Sequence, residues 1–127
     1  MTAGDWSTRG QAADSKTCPN NSDHRLRRLY FYLTQGCNLR CRHCWPAPRF
    51  QDKDSGKGFL PLDLFHSIIG QASRLGLTGV KLTGGEPLLH PGVLEMLAHI
   101  QEQDLALTIE TNAVLATPRI AAAIASC

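Results

Sequence analysis

Three cysteines fall within eight residues, as Cys37-x3-Cys41-x2-Cys44, directly after an apolar run, Leu29-Tyr-Phe-Tyr-Leu-Thr34. No other feature restricts the fold of this chain as strongly. The run lacks polar alternation, which predicts a strand buried on both faces. The thiols therefore sit on the loop that leaves a strand. Residues Met1 to Asn21 show no charged-then-apolar layout of a secretory signal. No stretch approaches the roughly 20 apolar residues of a membrane span. A cytoplasmic location follows, where thiols stay reduced and a cysteine cluster points to metal rather than disulfides.

The rest of the chain repeats one pattern. Leu64, Phe65, Ile68, Ala72 and Leu75 recur at steps of three and four after Pro61, and Gly76 supplies a stop. Gly79-Val-Lys-Leu-Thr83 reads as a second strand, with Gly84-Gly-Glu-Pro87 as its exit loop. Pro91 stands where a first-turn proline is tolerated, and Val93, Leu94, Leu97, Ala98 and Ile100 mark a second helix. Leu105-Ala-Leu-Thr-Ile-Glu110 is a third strand, and Thr117-Pro118 opens a third helix. Residues 46–59, with Pro46, Pro48, Gly56 and Gly58, read as loop. Residues 1–25 are polar and rich in Gly, Ser, Asn, Asp and Thr, and read as a disordered or loosely attached leader.

Strands alternating with helices of this length imply right-handed crossovers and a parallel sheet, hence an α/β fold. In a (β/α) barrel the loops after the strands share one rim, where chemistry gathers. The cysteines, Gly84–Pro87 and Thr111-Asn112 each follow a predicted strand and should meet there. Composition adds little: 43% hydrophobic, 19% charged and net +2 describe a globular chain. Arg25, Arg27 and Arg28 form a short basic cluster read as a solvated strand entry, so no nucleic acid is expected as a partner.

Iron–sulfur cubanes take cysteine thiolates, usually four. Three thiolates leave one iron open to bind and activate a small molecule. Gly36 lets the backbone turn around such a bulky group. The competing reading is a structural zinc site with Cys18 or His43 as fourth ligand, although zinc sites usually show paired Cys-x2-Cys knuckles and only one is present. Disulfide pairing is a further alternative. Cys18 and Cys127 have no assigned role.

Gly36-Cys-Asn-Leu-Arg-Cys-Arg-His-Cys-Trp45 followed by Leu82-Thr-Gly-Gly-Glu-Pro87 resembles the radical SAM superfamily over about residues 28–117. The resemblance implies that Cys37, Cys41 and Cys44 hold three irons of a 4Fe–4S cluster. The fourth iron would chelate S-adenosyl-L-methionine (SAM). An electron from a reductant such as flavodoxin or ferredoxin would cleave SAM to methionine and a 5′-deoxyadenosyl radical. That radical would abstract hydrogen from a substrate. Gly84 and Gly85 would meet the SAM ammonium through their peptide groups, with Glu86 adding charge and Pro87 fixing the bend. His43 would contact the adenine. Thr111-Asn112 resembles the family's Thr-Asn-Gly, with Ala113 in place of glycine, and gives Asn112 a SAM-side role. Lys81 could reach substrate or form a structural ion pair, Glu110 could face the site or the core, and Trp45 and Phe50 could shield the cluster or pack the core. No catalytic residue is assigned.

The resemblance also implies a partial (β/α) barrel of the radical SAM type, with three βα units present of an expected six. Residues 26–127 would be its N-terminal half, truncated or completed by a second chain. By itself such a half is expected to bind a cluster poorly and to turn over no substrate. The two motifs are similar to those of peptide-modifying maturases, which makes a peptide the expected substrate. A catalytically inactive cluster-binding module and a structural zinc protein are the alternatives.

Overall fold

The computed structural model describes residues 25–44, the backbone of 49–50, and 58–127. The expected leader (Arg25 apart), Cys18, Trp45, Pro46, Pro48, Gly56 and the Phe50 side chain lie outside the described residues.

Three strands form one parallel sheet: β1 (Arg28–Tyr32), β4 (Gly79–Thr83) and β5 (Ala106–Ile109), in that spatial order. The register aligns Arg28 with Gly79 and Ala106, and Tyr30 with Lys81 and Thr108. Between them run α1 (Leu62–Ser73) and α2 (Val93–Glu102), and α3 (Pro118–Ala125) follows β5. The expected order of strands and helices is therefore observed.

Helix spacing explains the core. Phe65, Ile69 and Ala72 of α1 and Val93, Met96, Leu97 and Ile100 of α2 each lie on one stripe and are buried. They meet Phe31, Leu33, Val80 and Leu82 from the sheet, with the Phe31 and Phe65 rings 4.7 Å apart. Each of these side chains larger than alanine stabilises the fold by roughly 1.5–3 kcal/mol on burial. Gly76, at φ +91°, ends the turn after α1 in a conformation that costs glycine little. At α3 the Thr117 hydroxyl accepts from the Ile120 N–H at 3.3 Å, the expected cap.

Three expectations are corrected. β1 is not buried on both faces: Tyr30 and Tyr32 are 62% and 57% exposed. All the helices lie against the Phe31 face, and among the described residues nothing covers the other face. The apolar run misled because tyrosine counts as apolar in a pattern yet suits a half-wet surface. Second, the stretch read as loop after the cysteines contains β3 (Arg49–Phe50), which pairs in parallel with β2 (Gly36–Cys37). That pairing is non-local and leaves no period in the sequence. Third, Pro87–Leu89 is not plain loop but a 3₁₀ turn capped by the Glu86 side chain.

Buried His90 fastens this turn to the chain before α1. Its Nδ1 accepts from Gly92 N–H at 3.0 Å, which leaves Nε2–H to donate to the Leu60 carbonyl at 2.7 Å. No helix among the described residues is long and apolar enough to cross a membrane.

Candidate functional site

The three loops that leave β1, β4 and β5 are joined by hydrogen bonds. Leu33 N–H reaches Thr83 O at 3.0 Å, Gly85 N–H reaches Thr34 O at 2.8 Å and Glu86 N–H reaches Gly36 O at 2.8 Å. The glycine pair makes this approach possible. Gly84 sits at φ +125°, and a Cβ there would stand 2.5 Å from Thr34 O. A Cβ on Gly85 would run into the Gly36 carbonyl. The glycines thus admit the backbone of the cysteine loop.

Glu86, only 1% exposed, closes the third side. Its Oε1 accepts from Leu88 N–H at 2.9 Å and from the Thr111 hydroxyl at 2.6 Å. Its Oε2 accepts from Asn112 N–H at 2.8 Å. Both oxygens are thereby engaged with the protein's own loops. Buried polar groups need such partners, and here they link the second rim loop to the third.

Asn112 then reaches back to the first loop. Its Nδ2 donates to Asn38 Oδ1 at 2.8 Å and lies 3.8 Å from Cys37 Sγ, while its Oδ1 accepts from Val114 N–H at 3.0 Å. Leu39 N–H also points at Cys37 Sγ, at 3.4 Å. Cys37 is buried, Cys44 half-buried and Cys41 exposed, and all three are free thiols.

These loops enclose a cavity of about 340 Å³, lined by Cys37, Cys41, His43, Cys44, Gly84, Gly85, Glu86 and Asn112 among others. The structure therefore brings the expected site residues together, apart from Pro87, which is buried behind them. Among the described residues no three His, Cys, Asp or Glu side chains are gathered tightly enough to hold a single ion as they stand. The donor chemistry nonetheless suits an iron–sulfur cluster: three free cysteines line one cavity beside a glycine-lined edge.

Tyr32, Thr83, Glu110 and Thr111 also line the cavity. Alternation along the strands carries that signal, since Tyr30 and Tyr32, Lys81 and Thr83, Thr108 and Glu110 all project to the bare face. Lys81 and Glu110 form an ion pair there. The Lys81 ammonium also stands 5.3 Å from the Tyr30 ring centre. Glu110 accepts from the Thr83 hydroxyl at 2.8 Å. The Lys81 and Thr83 hydrogen bonds hold the Glu110 carboxyl below the usual carboxylate range. A depressed carboxyl contributes stability above its unfolded value, and that contribution is lost as pH falls through the folded one. Removing the partner by Lys81→Met should move the Glu110 titration upward, read by NMR of its side-chain carboxyl. An unmoved midpoint would show that the pair does not form in solution.

Ala113 adopts φ +61°, a left-handed conformation that costs a non-glycine residue roughly 1–2 kcal/mol. Its N–H donates to Thr111 Oγ1 at 3.0 Å. The departure from Thr-Asn-Gly is thus a strained substitution at a turn shaped for glycine. Ala113→Gly should raise stability by about 0.5–1 kcal/mol, after the entropy that glycine adds to the unfolded chain. A urea titration measures it, and a lower midpoint would contradict the strain.

The family model described as Radical SAM superfamily matches residues 31–127. The chain belongs to the radical SAM superfamily. That is a family of enzymes whose cofactors are a 4Fe–4S cluster and SAM. The chain is 36% identical over 102 residues to a GTP 3′,8-cyclase of Synechocystis, covering 80% of this chain and 31% of that enzyme. It is 38% identical over 97 residues to a GTP 3′,8-cyclase of Syntrophomonas wolfei, covering 73% of this chain and 29% of the relative. The chain thus spans less than a third of these relatives. Among solved structures it resembles SuiB of Streptococcus suis bound to S-adenosylmethionine, with a TM-score of 0.66 and 28% identity over 77% of this chain and 22% of SuiB. The radical SAM cyclases are named for a nucleotide, GTP, and do not support the peptide substrate expected from the motifs.

Proposed function

We propose that this chain is the cofactor-holding part of a radical SAM enzyme, built as the first half of a (β/α) barrel. One observation carries the reading: Cys37, Cys41 and Cys44 open onto a single cavity with His43, Gly84, Gly85 and Asn112. In this reading the three cysteines ligate a 4Fe–4S cluster. His43, the Gly84–Pro87 segment and the main-chain carbonyl of Asn112, whose side chain is committed to Asn38, Cys37 and Val114, hold SAM. An ammonium donates, and the Glu86 and Pro87 carbonyls already accept from Leu89 and His90 N–H, so the carbonyl oxygens of Gly84 and Gly85 are the acceptors left for it. When bound, the two cofactors supply a 5′-deoxyadenosyl radical from SAM by one-electron reduction. The protein orients them and excludes water. Substrate would approach over the bare face, past Tyr32, Lys81 and Glu110.

Anaerobic reconstitution with iron and sulfide tests the reading. The fraction that takes up cluster should turn brown and bind iron and sulfide in equal amounts, at the low occupancy expected of half a barrel. SAM should perturb the electron paramagnetic resonance (EPR) signal of the reduced cluster. Colourless protein with one zinc would refute the reading. Formation of 5′-deoxyadenosine with dithionite and SAM then separates an enzyme from a binding module. Its stimulation by GTP or by peptides separates the two substrate classes.

A further inference from the structure

Among the described residues, donors reach the sulfur of one cluster cysteine and of neither other. Leu39 N–H stands 3.4 Å from Cys37 Sγ and Asn112 Nδ2 stands 3.8 Å from it. Asn112 is not free to turn away. One amide hydrogen donates to Asn38 Oδ1 at 2.8 Å, its Oδ1 holds Val114 N–H at 3.0 Å, and its backbone N–H is held by Glu86. The second amide hydrogen is therefore left to point at the sulfur. Cys37 is also the most buried of the three, at 7% exposure, so water does not compete for that sulfur.

We propose that Asn112, with the Leu39 amide, raises the reduction potential of the cluster by hydrogen bonding to the Cys37 thiolate. The inference rests on the cluster reading above. When an external reductant adds one electron, taking the cluster from 2+ to 1+, negative charge grows on the thiolate sulfurs. A donor held against one sulfur stabilises the reduced form more than the oxidised form, and hydrogen bonds to the sulfurs are among the known determinants of cluster potential. Asn112 acts here through Cys37 and is a positioning residue. A net hydrogen bond of about 0.5–1.5 kcal/mol, gained in the reduced form alone, corresponds to roughly a two- to twelvefold change in the reduction equilibrium. Tenfold is about 59 mV for one electron.

The test compares the reconstituted protein with Asn112→Asp and Asn112→Ala, by EPR-monitored redox titration without SAM. Asn112→Asp keeps the acceptor for Val114 N–H and so keeps the turn, but removes the donor. Both variants should hold the same iron as the parent and show a lower potential, with Asn112→Asp lower still because it adds charge. Equal potentials, or a shift in Asn112→Asp alone, would overturn the proposal. A second readout needs no variant. In the parent, the Fe–S(cysteine) stretch seen by resonance Raman should shift in D₂O, and an insensitive stretch argues against the bond. A parent that takes up no cluster defeats the underlying reading, and this proposal with it.

Discussion

Glu86→Ala should destabilise the protein by about 3–5 kcal/mol. The side chain is almost wholly buried and satisfies Leu88 N–H, the Thr111 hydroxyl and Asn112 N–H. Alanine would leave three donors without an acceptor in a space that water enters poorly. Each unsatisfied buried group costs about 1–3 kcal/mol, partly recovered as the site relaxes. A domain of this size has only about 5–15 kcal/mol in hand, so the variant would stand near unfolding. Glu86→Gln separates charge and shape from the loss of acceptors. It retains one oxygen in the place of Oε1 for Leu88 N–H and the Thr111 hydroxyl, so only Asn112 N–H loses its acceptor. Its cost should fall to about 1–2 kcal/mol. Urea unfolding followed by circular dichroism measures both. A Glu86→Ala loss below about 1 kcal/mol would mean that the carboxylate does not tie the loops together.

The second large effect is expected at Gly85. A methyl group there collides with the Gly36 carbonyl, which is backbone and cannot rotate aside. Relief requires the first and second rim loops to separate, breaking the Gly85–Thr34 and Glu86–Gly36 hydrogen bonds. Gly85→Ala should therefore cost about 3 kcal/mol or more, toward the upper end of overpacking. It should also reduce iron uptake, because the cysteine loop is displaced. Gly70 is the control. It lies inside α1, and a Cβ there meets nothing within 4 Å. Gly70→Ala should stabilise by roughly 0.5–1 kcal/mol. The opposite signs of these two substitutions, measured side by side, test whether the rim glycines are packing requirements or merely flexible. If Gly85→Ala is as mild as Gly70→Ala, the two rim loops do not dock tightly in solution.

Much of this was legible in the sequence because the signals are local. The period that holds Phe65 and Ala72, the proline and glycine punctuation, and the strand-then-motif order all act within a few residues, although Leu64 and Leu75 of the same pattern are exposed and Ile69, outside it, is buried. The convergence of three loops on one rim followed from topology alone. What could not be read is what depends on distant partners. Glu86 looked like a charge offered to a ligand, yet its acceptors serve Thr111 and Asn112, about 25 residues on. The pairing of Gly36–Cys37 with Arg49–Phe50 has no periodic trace in so short a stretch. Tyr30 and Tyr32 were misread because an aromatic residue belongs equally to a core and to a wet binding face. Lys81 and Glu110 were left open for want of a direction, which the strand register supplies.

The tie at Glu86 bears on how far folding depends on metal. Small zinc-finger domains owe their folding to the metal and collapse when it is withdrawn. Here the second and third rim loops are fastened to one another by the polypeptide itself, through Glu86, Thr111 and Asn112. Iron-free protein should therefore keep a cooperative urea transition, unlike a zinc finger stripped of its ion.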